Sequence, residues 1–541
     1  MRPENYSNEL LGMTRAKAKM YEYAIPLEAH IKVEPEEIVK LFPLVIGLLG
    51  DFSVNFYTID DEELINELRN KLIFSAHFLD SYFNSKLWTE NDDYYILLGS
   101  ATYYLCSLPG SSMVLAKKLK FNDLNLEANK LENLLLSFLK NDFSKKVEDG
   151  IYIDDINEII EKWYMFINTG NNEKTVFVAV DNLRSKIYKT GTPRELLLID
   201  VISAVIKEKF QNSTWHCLPL YSELLPQEWQ PVITKNNFIK ELWQAQHLIG
   251  QYDVLKGKSA TIQMPTSAGK TKATELIIRS AFLSDRTDLA VIVAPFRALC
   301  ADIRDSLYEA FIDENINITN ATDVYQNDFE INDSESKQIV ILTPEKLLYI
   351  IRQTPELTKK IGLIIYDEGH QFDSAVRGTN YELLLSSLKI MIPKESQTVL
   401  ISAVMSNIED INNWLNEEDS SIVQGNNLSP TYRTIAFTSW KDKLGRVEYV
   451  NINNPDKQEY YVPRVIEQEK LQLFGKERTP RYFPDKEDPA SISLYMGLKL
   501  VNQGSIAIFC GRKNSVPRLC ENILDAIQSQ IIFKHPSPLF R

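Results

Sequence analysis

The chain is 541 residues long, with 44% hydrophobic and 24% charged residues and a formal net charge of −14. That is the composition of an ordinary folded protein with room for about three or four domains, and its acidic balance argues against a broadly basic nucleic-acid coat while leaving a local basic groove open. The five cysteines form no C-x-x-C pair and the six histidines are scattered, so neither a disulfide framework nor a zinc site has support.

The first residues, Met1-Arg2-Pro3-Glu4-Asn5, lack a signal-peptide pattern. The apolar run over 41–50 contains Pro43 and is too short to span a bilayer, so the expectation is a cytoplasmic protein with no membrane contact. Residues 1–235 read as a mainly helical N-terminal domain for partner docking or regulation. Ile65, Leu68, Leu72 and Ile73 share a helix face, and 94–105 and 126–139 are rich in apolar helix formers. Breaks fall at Pro109-Gly110-Ser111-Ser112, at Gly170-Asn171-Asn172 and at Gly191-Thr192-Pro193. The acidic cluster Asp60-Asp61-Glu62-Glu63 reads as a solvated helix start. The tyrosines between 94 and 104 could stack bases, but core packing is the preferred reading.

From residue 236 strand, loop and helix alternate, as in a parallel sheet covered on both faces, and this α/β domain is expected over 236–430. Its organising stretch is 260–271. A short apolar strand runs into Met264-Pro265-Thr266-Ser267-Ala268-Gly269, and Lys270-Thr271 opens a helical pattern. Backbone N–H groups converging at a helix N-terminus make an anion site, to which Lys270 adds a cation for the β/γ-phosphates and Thr271 a hydroxyl for Mg²⁺. Met264 stands where the motif usually has its first glycine. A second site supports the first: the apolar run 361–366 ends in Asp367-Glu368-Gly369-His370. An acid pair at a strand's carboxyl edge suits Asp367 to Mg²⁺ and Glu368 to the attacking water. Further buried strands are expected over 288–294, 339–342 and 397–403, and 416–430 reads as a linker. Beyond it, the strand 505–510 and a helix from Val516 start a second α/β domain, assigned to 431–541.

This ordered set resembles the superfamily 2 DExH-box helicases, closest to the Ski2-like group. Residues 264–271 look like motif I, in which Pro265-Thr266 replaces the first glycine, and 367–370 look like motif II. The resemblance implies a RecA-like P-loop domain with a partial second one, using ATP and Mg²⁺. It gives catalytic roles to Lys270, Asp367, Glu368 and His370, nucleotide binding to Gln246 and residues 265–271, and the metal to Thr271 and Asp367. Within Leu242-Trp243-Gln244-Ala245-Gln246, Gln246 is the residue that would read adenine. Pro295 and Arg297 resemble motif Ia, Thr343 and Pro344 motif Ib, and Arg512 motif IV, which in that family touch single- or partly double-stranded DNA or RNA. Arg377-Gly378, with Tyr381-Glu382, matches the continuation beyond motif II in that group. The helical region ahead of such a core is similar to helicase subunits of bacterial anti-phage defence systems of the Hachiman type, which implies an effector nuclease docked on the N-terminal domain.

Three departures qualify the resemblance. Motif III reads Ser402-Ala403-Val404 where the family has a threonine last, and valine cannot hydrogen bond through its side chain. Motifs V and VI, the latter carrying an arginine finger worth about 10³–10⁵ in rate, have no counterpart before Arg541. Winged-helix and ratchet domains have none either, so a truncated chain is expected, one that binds ATP·Mg²⁺ and hydrolyses it slowly. Two functions follow: an ATP-driven helicase or translocase, or a nucleotide-gated scaffold that senses nucleic acid and controls a partner. ATP turnover with and without single strands separates them.

Overall fold

The computed structural model describes the chain except residues 88–91, 122–127, 145–147, 321–335, 371–374, 417–418, 427, 472–477, 480–481 and 529–541. The chain divides into two compact units, one of 107–110 with 128–431, the other of 1–106, 111–127 and 432–541. The bounds read from the sequence, 235 and 430, follow its motifs, whereas this division follows packing. Helical periodicity reports that a face is apolar, not which element will cover it, and the sequence offered no means of pairing distant faces.

The first unit is built on seven parallel strands: β1 Ala260–Gln263, β2 Leu289–Val293, β3 Ile316–Asn320, β4 Lys337–Leu342, β5 Leu363–Tyr366, β6 Gln397–Ser402 and β7 Ser421–Gln424. Their order is β3-β4-β2-β5-β6-β1-β7. Every residue of β1, β2, β5 and β6 is buried, and β2 and β5 accordingly read as continuous apolar runs rather than alternating ones. In register, Ile262 lies beside Ile401, and Ile365 sits between Val399 and Ile292. The carboxyl ends of β5, β6 and β1 are therefore neighbours, although the chain visits them far apart. Ligands of open α/β sheets bind at that edge, where the strand order reverses.

Helices Lys270–Leu283, Arg297–Ala310, Pro344–Gln353, Ala375–Met391 and Ile408–Asn416 connect the strands. The first is fixed from within. Arg279, 2% exposed, pairs with Glu275 on its own helix and with Glu314, and donates to the Ala310 carbonyl at 2.6 Å. Six further helices of this unit lie between Leu131 and Ile233. Among them Pro193–Gln211 opens on a reciprocal cap in which the Thr192 hydroxyl accepts from the Glu195 N–H and the Glu195 carboxylate from the Thr192 N–H.

The second unit joins the chain's two ends. Helices Asn5–Glu22, Phe42–Thr58, Glu62–Asn84 and Asp92–Leu105 accompany an antiparallel sheet of β8 Ile435–Lys441, β9 Leu444–Asn451 and β10 Asn454–Glu467, ordered β10-β9-β8. Arg15, on the first helix, pairs with Glu459 at 2.7 Å, donates to the Tyr432 hydroxyl and lies 4.4 Å over the Tyr460 ring. Met20, Tyr23, Val447, Tyr449, Val462 and Leu494 share one buried cluster. The acidic start at 60–63 is a solvated cap, Asp61 accepting from the Leu64 N–H. The tyrosines of 94–104 pack as expected: Tyr103 is 2% exposed and its hydroxyl reaches Asp80 at 3.1 Å. Residues 505–510, by contrast, make no strand: Ile506 is 42% and Phe509 94% exposed. Among the described residues no neighbouring strand offers them the N–H and C=O groups that a ladder requires. No helix among the described residues is long and apolar enough to cross a membrane.

Candidate nucleotide site

At the end of β1, Met264 keeps the sheet's pairing by donating its N–H to the Ser402 carbonyl at 3.0 Å, and its side chain is fully buried, as suits an apolar residue. Pro265 turns the chain, 266–268 make one 3-10 turn, and Gly269 takes φ 97° before the helix opens at Lys270. Only glycine adopts that conformation without cost, and a Cβ there would also lie 2.7 Å from Gln246 Nε2. Ser267 and Thr271 are exposed and Ala268 is buried.

Gln246 is 3% exposed. Its Oε1 accepts from the Trp243 N–H at 2.8 Å and its Nε2 donates to the Gly269 carbonyl at 3.4 Å. Its amide thus ties the start of helix Gln244–Gln251 to the loop at Gly269.

The acid pair closes on the same loop. Lys270 Nζ and Glu368 Oε1 are 2.9 Å apart, both side chains largely buried. Glu368 sits at φ 53°, a left-handed conformation that a non-glycine residue adopts only when its surroundings hold it. Its N–H donates to Asp367 Oδ1 at 2.9 Å, and the Asp367 N–H continues the pairing of β5 with β2 through the Val293 carbonyl. Burial raises the Asp367 pKa, the Glu368 charge adds to this, and Lys270 opposes it. Glu368 Oε2 is buried without a hydrogen bond, 3.2 Å from His370 Nδ1. His370 Nδ1 also lies 3.3 Å from Ser402 Oγ, which donates to the Val404 carbonyl at 3.2 Å. Position 404 therefore contributes its backbone, and the valine side chain is 69% exposed.

Lys270, Asp367, Glu368, His370 and the loop 265–271 form one cluster. Pro295 is buried and Arg297 exposed just after β2, while Thr343 and the buried Pro344 follow the adjacent β4. Thr343 caps its helix without using its hydroxyl, and no acid pairs Arg297 among the described residues. Arg512 lies exposed in the other unit. Arg377 and Thr266 have side chains outside the described residues. Two features were given no site role from the sequence: Ser402, whose hydroxyl meets His370, and the segment Ser107–Gly110, which groups with this unit. The first was signalled by its place in motif III, and the second carried no signal beyond its Pro-Gly break.

The residues fit a magnesium nucleotide. A glycine-gated loop at a helix N-terminus suits a phosphate, the half-buried carboxyl of Asp367 a cation, and the unsatisfied Glu368 Oε2 a further donor. Such an arrangement defines a P-loop nucleotide-binding domain. The DEAD/DEAH box helicase family model matches residues 246–411. Hachiman protein HamB of Bacillus cereus is 27% identical over 458 residues, 80% of this chain and 40% of that protein. ATP-dependent DNA helicase Hel308 of Methanococcus vannielii is 29% identical over 184 residues, 33% of this chain and 24% of the relative. The chain therefore spans less than half the length of either. Among solved structures, the DUF1998 helicase MrfA bound to DNA superposes with a TM-score of 0.31 at 22% identity, over 37% of this chain and 29% of that one.

Proposed function

We propose that the protein is an ATP-dependent helicase or translocase acting on single- or partly double-stranded DNA or RNA. The contact of Lys270 with Glu368 at 2.9 Å is the observation that carries this reading, because it joins the loop after β1 to the acid pair after β5. In this reading the amides of 266–270 and Lys270 bind the β/γ-phosphates, and Thr271 and Asp367 hold Mg²⁺, which neutralises phosphate charge when bound. On nucleotide entry Lys270 turns to the phosphates and frees Glu368 to orient a water for attack. His370, against both Glu368 and Ser402, relays the state of the acid pair to the segment 402–404. Pro295, Arg297, Thr343 and Pro344, following two adjacent strands, suit the sugar-phosphate backbone, since they offer a cation, a hydroxyl and helix-start amides without base recognition. Arg512, which belongs to the other unit, is assigned to nucleic acid on its resemblance to motif IV alone. Likeness to HamB supports a setting in anti-phage defence, with an effector nuclease docked on the N-terminal helices.

The rival is a nucleotide-gated scaffold that senses nucleic acid with little hydrolysis, favoured by the missing hydroxyl at Val404. ATP turnover with and without single strands distinguishes the two: stimulation supports the motor, and binding without turnover supports the scaffold. Lys270→Ala tests the site itself. Loss of ATP binding in a folded variant is expected, and unchanged affinity would remove the phosphate-loop assignment.

A further inference from the structure

Ser107–Gly110 groups with the sheet-bearing unit, although the residues on either side group with the other. The Gly110 N–H donates to the Pro430 carbonyl at 2.7 Å, and Ser107 is held at φ 60°. Pro430 ends the loop that leaves β7, whose first residue, Gly425, still pairs with Gln263 of β1 at 2.7 Å. The segment is thus pinned to the strand edge from which the phosphate loop springs.

Ser107 and Pro109 line a notch with Trp243, Ala245, Ala268 and Pro430. Ala268 belongs to the phosphate loop, so the notch lies beside the place where a triphosphate would sit. Trp243 leaves an indole 40% exposed there, three positions before Gln246. The notch holds about 10 Å³, room for the edge of a ring and not for a whole one. A planar heteroaromatic base fits by stacking on the indole, with one edge against the two proline rings and its sugar directed to the loop.

We propose that Ser107–Gly110 forms a wall of the adenine site and that Pro109 is a specificity-determining contact for the base of the bound nucleotide. This rests on the phosphate-loop reading and adds to it a segment from outside the helicase motifs. Gln246 is then not the sole base-side element: its amide is committed to Trp243 and Gly269, and discrimination comes from the shape of the wall.

Two variants test the wall. Pro109→Ala removes apolar contact alone. Gly110→Ala places a Cβ 2.6 Å from Thr431 Cγ2 and 2.8 Å from the Pro430 carbonyl oxygen, so the segment must move away from Pro430. Calorimetric titration with Mg²⁺ and ATP, CTP or inorganic tripolyphosphate separates base from phosphate. The expected result is an ATP affinity lowered about tenfold in both variants, a smaller ATP-over-CTP preference and an unchanged tripolyphosphate affinity. Unchanged ATP affinity in the folded variants would overturn the proposal. So would tripolyphosphate affinity falling in step with that for ATP, because the segment would then act on the loop and not on the base. A wild-type chain that binds tripolyphosphate no better than Lys270→Ala would instead defeat the phosphate-loop reading, and the wall with it.

Discussion

Asp367 shows how far one residue's chemistry depends on its neighbours. Its carboxyl lies at a buried strand end beside Glu368, and both facts push its pKa above the usual carboxylate value of about 4. Mg²⁺ requires the ionised form, so affinity for Mg²⁺·ATP should fall with acidification at a pH above that value. The nucleotide-free fold should respond oppositely: a group that binds its proton more tightly when folded gains the fold stability as pH drops through the folded pKa. Asp367→Asn should abolish both dependences, and titrations of nucleotide affinity and of melting temperature between pH 4 and 8 check them. Arg297 belongs to the same scale. Exposed and without an acid partner among the described residues, it is placed as a phosphate contact; Arg297→Ala should weaken all single strands about equally and lower the salt slope by roughly one unit. Wild-type affinity across the salt titration would contradict that placement. That Lys270 and the pair Asp367-Glu368 stand just beyond strand ends was legible in the sequence, because each follows a short apolar run. The committed amide of Gln246 and the backbone role of position 404 were not, because each depends on a hydrogen bond to a group that the sequence leaves unspecified.

At the scale of elements, the parallel sheet was legible because strands buried on both faces are written largely as apolar runs, as β2 and β5 are. The same rule misled over 505–510, where the run is equally apolar but no ladder partner stands beside it among the described residues. Strand order was not legible, and it is what brings the ends of β5, β6 and β1 together. The helix that opens at Lys270 keeps its place through Arg279, whose guanidinium meets Glu275, Glu314 and the Ala310 carbonyl. Arg279→Ala would strand Glu275, 4% exposed, with Lys272 as its remaining cation. Breaking a buried pair from one side costs about 3–5 kcal/mol, so the variant should melt earlier and bind ATP more weakly. Arg279→Met with Glu275→Leu should recover much of the stability, because the buried charges leave together. Denaturant unfolding of the single and double variants checks both.

At the scale of the whole molecule, the chain's two ends are the informative feature. A reading along the sequence places residues 1–235 and 431–541 in separate domains, yet helix Asn5–Glu22 shares its buried cluster with β9 and β10. Arg15 is central to that union. Its side chain is 9% exposed, its guanidinium meets Glu459 and the Tyr432 hydroxyl, and its face covers Tyr460. The contacts span more than 400 positions of sequence, so the loop-closure cost is already met when they form, and losing them should loosen both ends at once. Arg15→Ala leaves the exposed Glu459 without its cation and removes the buried guanidinium from Tyr432 and Tyr460, which should cost about 1–3 kcal/mol within this unit, mostly as lost packing. The phosphate loop, Asp367 and Glu368 all belong to the other unit, whose strands and buried pairs this substitution does not touch. The expected outcome is therefore split. Hydrogen exchange should rise in Asn5–Glu22 and in β9 and β10 together, while ATP affinity stays at the wild-type value. Exchange that rose in the helix alone would mean that the two ends fold independently. A matching loss of ATP affinity would mean that the nucleotide site depends on the unit that joins the termini.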